Sequence, residues 1–523
     1  MAEQIAEEML ECKFARDPAA RASLLIVAAG LADSNEAFSL NLVRAGSGQV
    51  VFEEPFNPAF TYPIFGEDEK IFGYKDVELD LRFRAHDLKP TFNIQYGEKF
   101  KGIGKIQAMD LKDMLKDFLL PEVLSGDNSA GNGSADASDS KWTPPGKLVK
   151  KYTQHGRNFE IRFGSLTDPA LKQILENAQV LVPLFIEGGT LQDLKDQEWT
   201  MERWKLFLLY EVTPLENDDA STPYTFVGFA TSYRLWVFPT KEILALTHDT
   251  PAAHASEKDP VTGVFLGNYS PLDAPSRERI SQFIIIPPYQ GQGHGSHLYN
   301  SMMTMFLNDK NVFEVTVEEP NEAFDDMRDW CDLARLRQNP TFGNMTIADS
   351  IPVEALAPDA ESPSSLLLPQ DELVKIRHAA KIVPRQFHRL VEMHTLSQIP
   401  AYNRKLARIT RKHKATDPND RRYYFWRHLT KERLYNHNRD QLMQVDESER
   451  VEKIEAALPG LEASYERIIE RAEKRPVTTG EGSGKTVPAK RKYIISDDED
   501  DEDAEDDDDD EAEAEPKKAK IDA

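Results

Sequence analysis

Residues 283–300 read FIIIPPYQGQGHGSHLYN, and the change of character along this stretch decides the fold. Residues 281–286 are rich in β-branched side chains and few enough to form a buried strand. Pro287 and Pro288 remove two backbone donors, so the strand ladder stops there. Gly291, Gly293 and Gly295 alternate, which leaves their amides unobstructed by side chains. Leu298, Met302, Met305 and Phe306 then recur on one face of a helix. Strand, glycine loop and helix N-terminus together predict an anion cradle, because exposed N–H groups and the helix dipole point at one ligand. The expected ligand group is a pyrophosphate.

Three phosphate-binding patterns compete for such a loop. The dinucleotide fingerprint would use Gly291 and Gly293, but its third position holds Ser296, and its strand should reach the glycines without a Pro-Pro break. A second string, Gly482-Ser483-Gly484-Lys485-Thr486, has Thr479 where a P-loop needs glycine and no apolar strand before it, so it reads as linker. Gln290-Gly291-Gln292-Gly293-His294-Gly295 fits the third pattern, Gln/Arg-x-x-Gly-x-Gly/Ala, the coenzyme-A loop of the GNAT superfamily of N-acetyltransferases. Its surroundings agree. WKLFLLYEV (204–212) and YTFVGFATSYRLWVF (224–238) read as two strands before the 281–286 strand. VFEVTV (312–317) reads as a strand after the helix and ends at Glu318-Glu319-Pro320-Asn321. The order β, β, β, glycine loop, α, β resembles the core of an acetyl-CoA-dependent acyltransferase. PPYQGQGHGSHLY (287–299), VTVEEPNEAFDDMRD (315–329) and IFGEDEKIFGYK (64–75) further resemble the catalytic subunit of the type B histone acetyltransferase, in outline from 50 to 470.

Composition bounds the rest. A chain of 523 residues with 40% apolar residues is long enough for about three cored domains. Two cysteines, Cys12 and Cys331, exclude a disulfide scaffold and fit a reducing compartment. Residues 24–32 form the longest early apolar run, too short to span a bilayer and without a basic leader, so a soluble intracellular protein is expected. Of the net charge of −26, sixteen acidic residues between 497 and 515 account for the larger part. Such a run repels itself and should be disordered. Residues 402–439 hold twelve Lys/Arg against three Asp/Glu and include Tyr423, Tyr424, Phe425 and Trp426.

The expected fold class is α+β, a mixed acetyltransferase sheet with helices, divided as follows. Residues 1–124 form an amino-terminal α+β domain and 125–146 a low-complexity linker. Residues 147–320 form the acetyltransferase core, 321–474 a helical domain and 475–523 a disordered acidic tail with basic clusters. Asn321 is the expected N-cap of EAFDDMRDWCDLARL. Val451, Ile454, Leu458, Leu461, Tyr465 and Ile468 carry helical spacing, while Pro459-Gly460 is expected to break any single long helix.

Acetylating a lysine requires its neutral amine, and at pH 7 deprotonation costs about 4.6 kcal/mol for a pKa of about 10.4. A placed carboxylate can take that proton and contribute roughly 10²- to 10⁴-fold. Glu318, at the carboxyl end of the strand after the coenzyme helix, is the candidate, with Glu319 in reserve; a solvated acidic helix start is the bland alternative, which the glycine loop and the resemblance disfavour. The resemblance puts the family's proposed base on Glu318, while Glu319 stands where the family has Asp. No local Cys–His motif supports a covalent acetyl-cysteine route, and no histidine spacing suggests a metal, so direct attack without a metal is expected. His294 reads as a loop residue rather than a base.

The resemblance also implies the remaining contacts. Phe283, Ile284 and Ile285 would bind the pantetheine arm of acetyl-CoA. Gln290, Gly291, Gln292, Gly293, His294, Gly295 and Ser296 would hold the pyrophosphate, with Asn321 also touching the coenzyme. A histone H4 tail, delivered with H3, would meet Glu67, Asp68 and Glu69, then Trp204, Tyr233, Arg234 and Leu235. Carboxylates suit its charge and aromatic walls its lysine stems, although Trp204 could equally be core. Arg234 and Leu235 depart from the polar-aromatic pattern expected there. The implied partner is a WD-repeat β-propeller histone chaperone, and the implied substrate is newly made H4 before chromatin assembly. Lys490-Arg491-Lys492 and Lys517-Lys518-Ala519-Lys520 match short nuclear import signals, which gives a cytoplasmic and nuclear expectation. Two other functions compete: an acidic histone chaperone without activity, from the tail, and a nucleic-acid binder, from 402–439. Neither accounts for the glycine loop. The bland reading of 402–439 is a solvated face meeting acids elsewhere in the chain.

Overall fold

The computed structural model describes residues 30–102, 106–125, 141–196, 198–214, 222–237, 271–273, 275–352, 363–409 and 417–474, with single positions 240, 243, 246, 261 and 354. Cys12, most of the low-complexity stretch, and the acidic tail with its basic clusters lie outside these residues.

Residues 30–124 build a three-stranded sheet from β1 (Phe38–Val43), β2 (Glu78–Arg84) and β3 (Pro90–Gln95), with β1 parallel and β3 antiparallel to β2. The large sheet has β4 (Lys147–Gln154), β5 (Arg157–Ser165), β6 (Trp204–Val212), β7 (Tyr224–Trp236), β8 (Ser276–Ile285) and β9 (Val312–Val317), in the order β9-β8-β7-β6-β5-β4. Every neighbour pair is antiparallel except β8–β9. That parallel pair needs a crossover, which the helix over His294–Asn308 supplies. Helices α1 (Pro169–Ala178) and α2 (Leu181–Phe185) precede β6, and α3 (His294–Asn308) joins β8 to β9. The central strand β6 is buried on both faces from Leu206 to Tyr210, as its unbroken apolar run requires. Phe38, Phe83, Phe159, Leu208, Phe229 and Met302 belong to one continuous apolar cluster, so the two sheets share a core.

The observed β8 begins at Ser276, five residues before the apolar run that announces it. Its first half alternates charged and buried residues, and Glu278 is fully buried. Burial is tolerated because Lys205 Nζ lies 2.6 and 2.8 Å from the carboxylate and Ser232 Oγ 2.7 Å from it. A charged strand with buried partners carries no apolar signature.

Helix α4 (Glu322–Leu336) starts where expected: the Asn321 side chain accepts from the Phe324 amide at 2.9 Å. Helices α5 (Gln370–Ala380), α6 (Pro384–Ser397), α7 (Pro418–His437) and α8 (Glu447–Lys474) follow. They enclose a second cluster that includes Leu333, Phe342, Leu390, Trp426 and Tyr465. The expected break at Pro459-Gly460 does not occur, and α8 runs through both residues for 28 positions. Leu458, Tyr465 and Ile468 are fully buried on its inner face, while Pro459 is exposed. Packing on both sides of the proline outweighs its missing hydrogen bond.

Much of the described part of the basic, aromatic stretch is internal structure, although Tyr402 and Tyr424 are exposed. Tyr423, Phe425 and Trp426 are core residues. Arg408 lies 2.7 Å from Asp420, Arg427 2.6 Å from Glu455 and Arg433 2.6 Å from Glu392. Among the described residues these cations meet acids, Asp420 within the stretch and Glu455 and Glu392 beyond it.

Candidate active site

The glycine loop is wound tightly. Pro287–Tyr289 form a single 3-10 turn, and Gln290 Nε2 donates back to the Ile285 carbonyl at 2.7 Å. Gly291 and Gly293 take left-handed φ values of 70° and 91°, with Gly293 capping α3. Gly295 serves packing instead, since a Cβ there would stand 2.9 Å from Met327 Sδ. Among the described residues the amides of 291–296 have no acceptor. These free donors lie at the N-terminal end of a fifteen-residue helix.

Beside the loop the sheet opens. The β8–β9 ladder runs from Ser276↔Val312 to Ile280↔Val317, and the Glu318 amide closes it on the Ile280 carbonyl at 2.9 Å. Beyond that point β8 continues to Ile285 paired only with β7. A register shift between Ala230 and Ser232 places an extra β8 residue where the strands part. The Gln282 amide donates to Thr231 Oγ1 and the Ile286 amide to the Val227 carbonyl, both on the β7 side. By alternation, the backbone groups of Phe283 and Ile285 face the gap and those of Ile284 face β7.

Glu318 stands at the mouth of this gap. Ser281 Oγ donates to its Oε2 at 2.7 Å, and the residue is half-buried. Glu319 is exposed, with a left-handed φ of 36°. Asn321 is exposed and its side chain is engaged in the cap. Ser281 is a site residue that sequence reading missed; its one signal is a hydroxyl beside an apolar run.

Trp204 pairs with Tyr233, and Tyr233 with Arg279, so the three share a sheet face. The Trp204 and Tyr233 rings stack at 4.5 Å, both half-buried, rather than sinking into the core. Arg234 points the other way. It is 5% exposed, bonds Asp309 and the Leu272 carbonyl, and so turns its guanidinium into the protein, away from a substrate. Leu235 is half-buried, opposite Arg277. Glu67 and Asp68 are exposed, but Glu69 is occupied. Its carboxylate accepts from the Thr61 amide at 2.7 Å, the Tyr62 amide at 3.1 Å and Asn35 Nδ2 at 2.8 Å. These bonds, the Thr61 amide foremost, hold its pKa below the usual range. Glu69 therefore braces the loop that displays its two neighbours.

The His294 ring is buried, with Nδ1 2.9 Å from Tyr152 Oη. Burial, then the Arg157 guanidinium, lowers its pKa to about 4, so it is neutral at pH 7 and turned into the protein. Cys331 is buried, and burial pushes its thiol up to about 12, which removes it as a nucleophile. Among the described residues no group of three or more His, Cys, Asp or Glu is arranged to hold a metal, and no helix is long and apolar enough to cross a membrane.

Residues 30–187 match a family model described as "Histone acetyl transferase HAT1 N-terminus". The chain is similar to proteins named histone acetyltransferase type B catalytic subunit in several fungi. That of Aspergillus oryzae is 41% identical over 447 residues, 84% of this chain and 85% of the relative. That of Aspergillus fumigatus is 39% identical over 500 residues, 89% of this chain and 85% of the relative. The Neurospora crassa protein is 37% identical over 483 residues, 87% of this chain and 91% of the relative. Among solved structures, an aminoglycoside acetyltransferase from a soil metagenome in complex with sisomicin covers 33% of this chain and 84% of its own, at 18% identity and a TM-score of 0.19, too slight a likeness to add anything. On the strength of the full-length relatives, this chain is an acetyltransferase and belongs to the family of type B histone acetyltransferase catalytic subunits.

Proposed function

We propose that this chain transfers acetyl groups from acetyl-CoA to lysines in the amino-terminal tail of newly synthesised histone H4, presented with H3, before chromatin is assembled. The observation that carries this reading is Glu318, held by Ser281 where β8 and β9 part, beside a loop of unpaired amides.

The residues present suit acetyl-CoA. Among the described residues the amides of 291–296 are donors without acceptors, and a Cβ at Gly291 would meet no described atom within 4 Å. The Phe283 and Ile285 backbone edges suit the amide-bearing pantetheine arm, whereas Ile284, buried and bonded toward β7, supports the strand from behind. When bound, the coenzyme supplies an acetyl group activated as a thioester. Glu318 accepts the proton of the incoming lysine, directly or through water, and the freed amine attacks the thioester carbonyl; the amide N–C bond forms as the C–S bond breaks and the coenzyme leaves as its thiolate, with no enzyme-bound acetyl. Ser281 holds one carboxylate oxygen, which keeps the other turned toward the gap. Glu319 is the reserve base. Trp204 and Tyr233 offer a wall for a lysine stem, and Glu67 and Asp68 a counter-charge for basic tail residues.

The resemblance suggests a WD-repeat β-propeller chaperone as partner. Basic clusters beside the acidic run suggest nuclear as well as cytoplasmic residence. Steady-state kinetics on an H4 tail peptide test the catalytic assignment. Glu318→Gln should lower kcat by at least about 100-fold with acetyl-CoA affinity unchanged, and higher pH should restore part of the rate. Full turnover in Glu318→Gln, with loss in Glu319→Gln, would move the base to the neighbour.

A further inference from the structure

The edge strand β4 presents Lys150, Tyr152 and Gln154 at alternate positions, hence on one face, and each engages the start of the coenzyme helix. Lys150 Nζ lies 3.2 Å from His297 Nδ1, Tyr152 Oη 2.9 Å from His294 Nδ1, and Gln154 Nε2 donates to the Gln292 carbonyl at 3.0 Å. His297 can accept from the ammonium because burial, then Lys150 itself, lowers its pKa to about 4 and keeps it neutral. Just past the two-residue turn, Arg157 Nη2 donates to Gln292 Oε1 at 2.7 Å. Its Nη1 lies 3.1 Å from Glu211, whose carboxylate also accepts from Tyr289 Oη at 2.7 Å. Gln292 Nε2 completes the set on the Pro288 carbonyl at 2.8 Å.

Gln292 is therefore held at its backbone oxygen and at both ends of its side chain. Its carbonyl and the Gly293 amide belong to one planar trans peptide, so they point in opposite directions. Anchoring the carbonyl on the β4–β5 hairpin aims the Gly293 N–H away from the hairpin. Glycine at 293 would otherwise let this peptide rotate. We propose that the hairpin is a clasp that fixes the Gln292–Gly293 peptide in its anion-binding orientation, with Gln154 and Arg157 as positioning residues for the coenzyme loop. This role rests on the acetyl-CoA reading of the loop. It makes affinity a property of preorganisation rather than of contacts to the ligand.

Calorimetric titration of the full chain with acetyl-CoA, paired with kinetics on an H4 tail peptide, tests it. Gln154→Met keeps the length of the side chain and removes its donor, and Arg157→Ala removes the second hold. Each should weaken acetyl-CoA binding about fivefold or more, the effect of one lost polar hold. The KM for acetyl-CoA should rise accordingly, with kcat at saturation and the peptide KM unchanged. Arg157→Lys, which cannot span Glu211 and Gln292 together, should fall between Arg157→Ala and wild type. Loss of kcat without loss of affinity, or affinity within twofold of wild type in both variants, would overturn the clasp. If Arg157→Ala fails to fold, Gln154→Met and Arg157→Lys decide alone. A wild-type chain that does not bind acetyl-CoA would overturn the coenzyme reading itself, and this inference with it.

Discussion

Ser281 and Glu318 meet across a parallel strand pair at the last point where it is still a pair. A base placed there needs no deep burial, because the hydroxyl holds it and the gap faces it. The loop beside it depends on Gly293 in a different way. At a φ of 91° a valine would be strained by about 1–3 kcal/mol and would set a branched side chain beside the unpaired amides. Gly293→Val should therefore leave the protein folded and abolish calorimetric binding of acetyl-CoA; unchanged affinity would remove the loop from the coenzyme site. The left-handed turn at Gly291 and Gly293 and the Asn321 cap are legible in sequence because each acts within a few residues of itself. Ser281, Gln154 and Arg157 are not, since Arg157 finds Gln292 across 135 residues. Glu69 shows the opposite failure. It reads like its acidic neighbours, yet only the fold reveals that backbone amides occupy its carboxylate.

At the scale of elements, apolar periodicity located β6, β7, β9, α3 and α4 well, because each buries a continuous face. It lost the first half of β8, where Glu278 and its partners replace apolar burial by a buried ion pair. It also misjudged α8. Pro459 and Gly460 are local helix breakers, but Leu458, Tyr465 and Ile468 hold the helix through them by tertiary packing. Because Pro459 is exposed and a Cβ at Gly460 would meet open space, neither residue owes its place to packing. Pro459→Ala should then raise stability by about 2–3 kcal/mol, read from urea or thermal unfolding of the full chain. No gain would mean that the helix does not run continuously through this turn.

Among the described residues, the two sheets share one core and the helices enclose another, and the strands and helix of the candidate site lie in the first. Several described basic residues of the helical region form ion pairs, and the longest run of like charge in the sequence is the acidic stretch between 497 and 515. That distribution suits a protein that handles a highly basic substrate. It does not separate a chaperone from an enzyme; the reaction product does. The direct test is to incubate the full chain with acetyl-CoA and unmodified histones H3 and H4, then map acetylated lysines by mass spectrometry, with Glu318→Gln in parallel. Acetyl groups on H4 tail lysines that depend on Glu318 are the predicted result. Histones left unmodified by the wild-type chain, or H4 acetylated equally by Glu318→Gln, would contradict it.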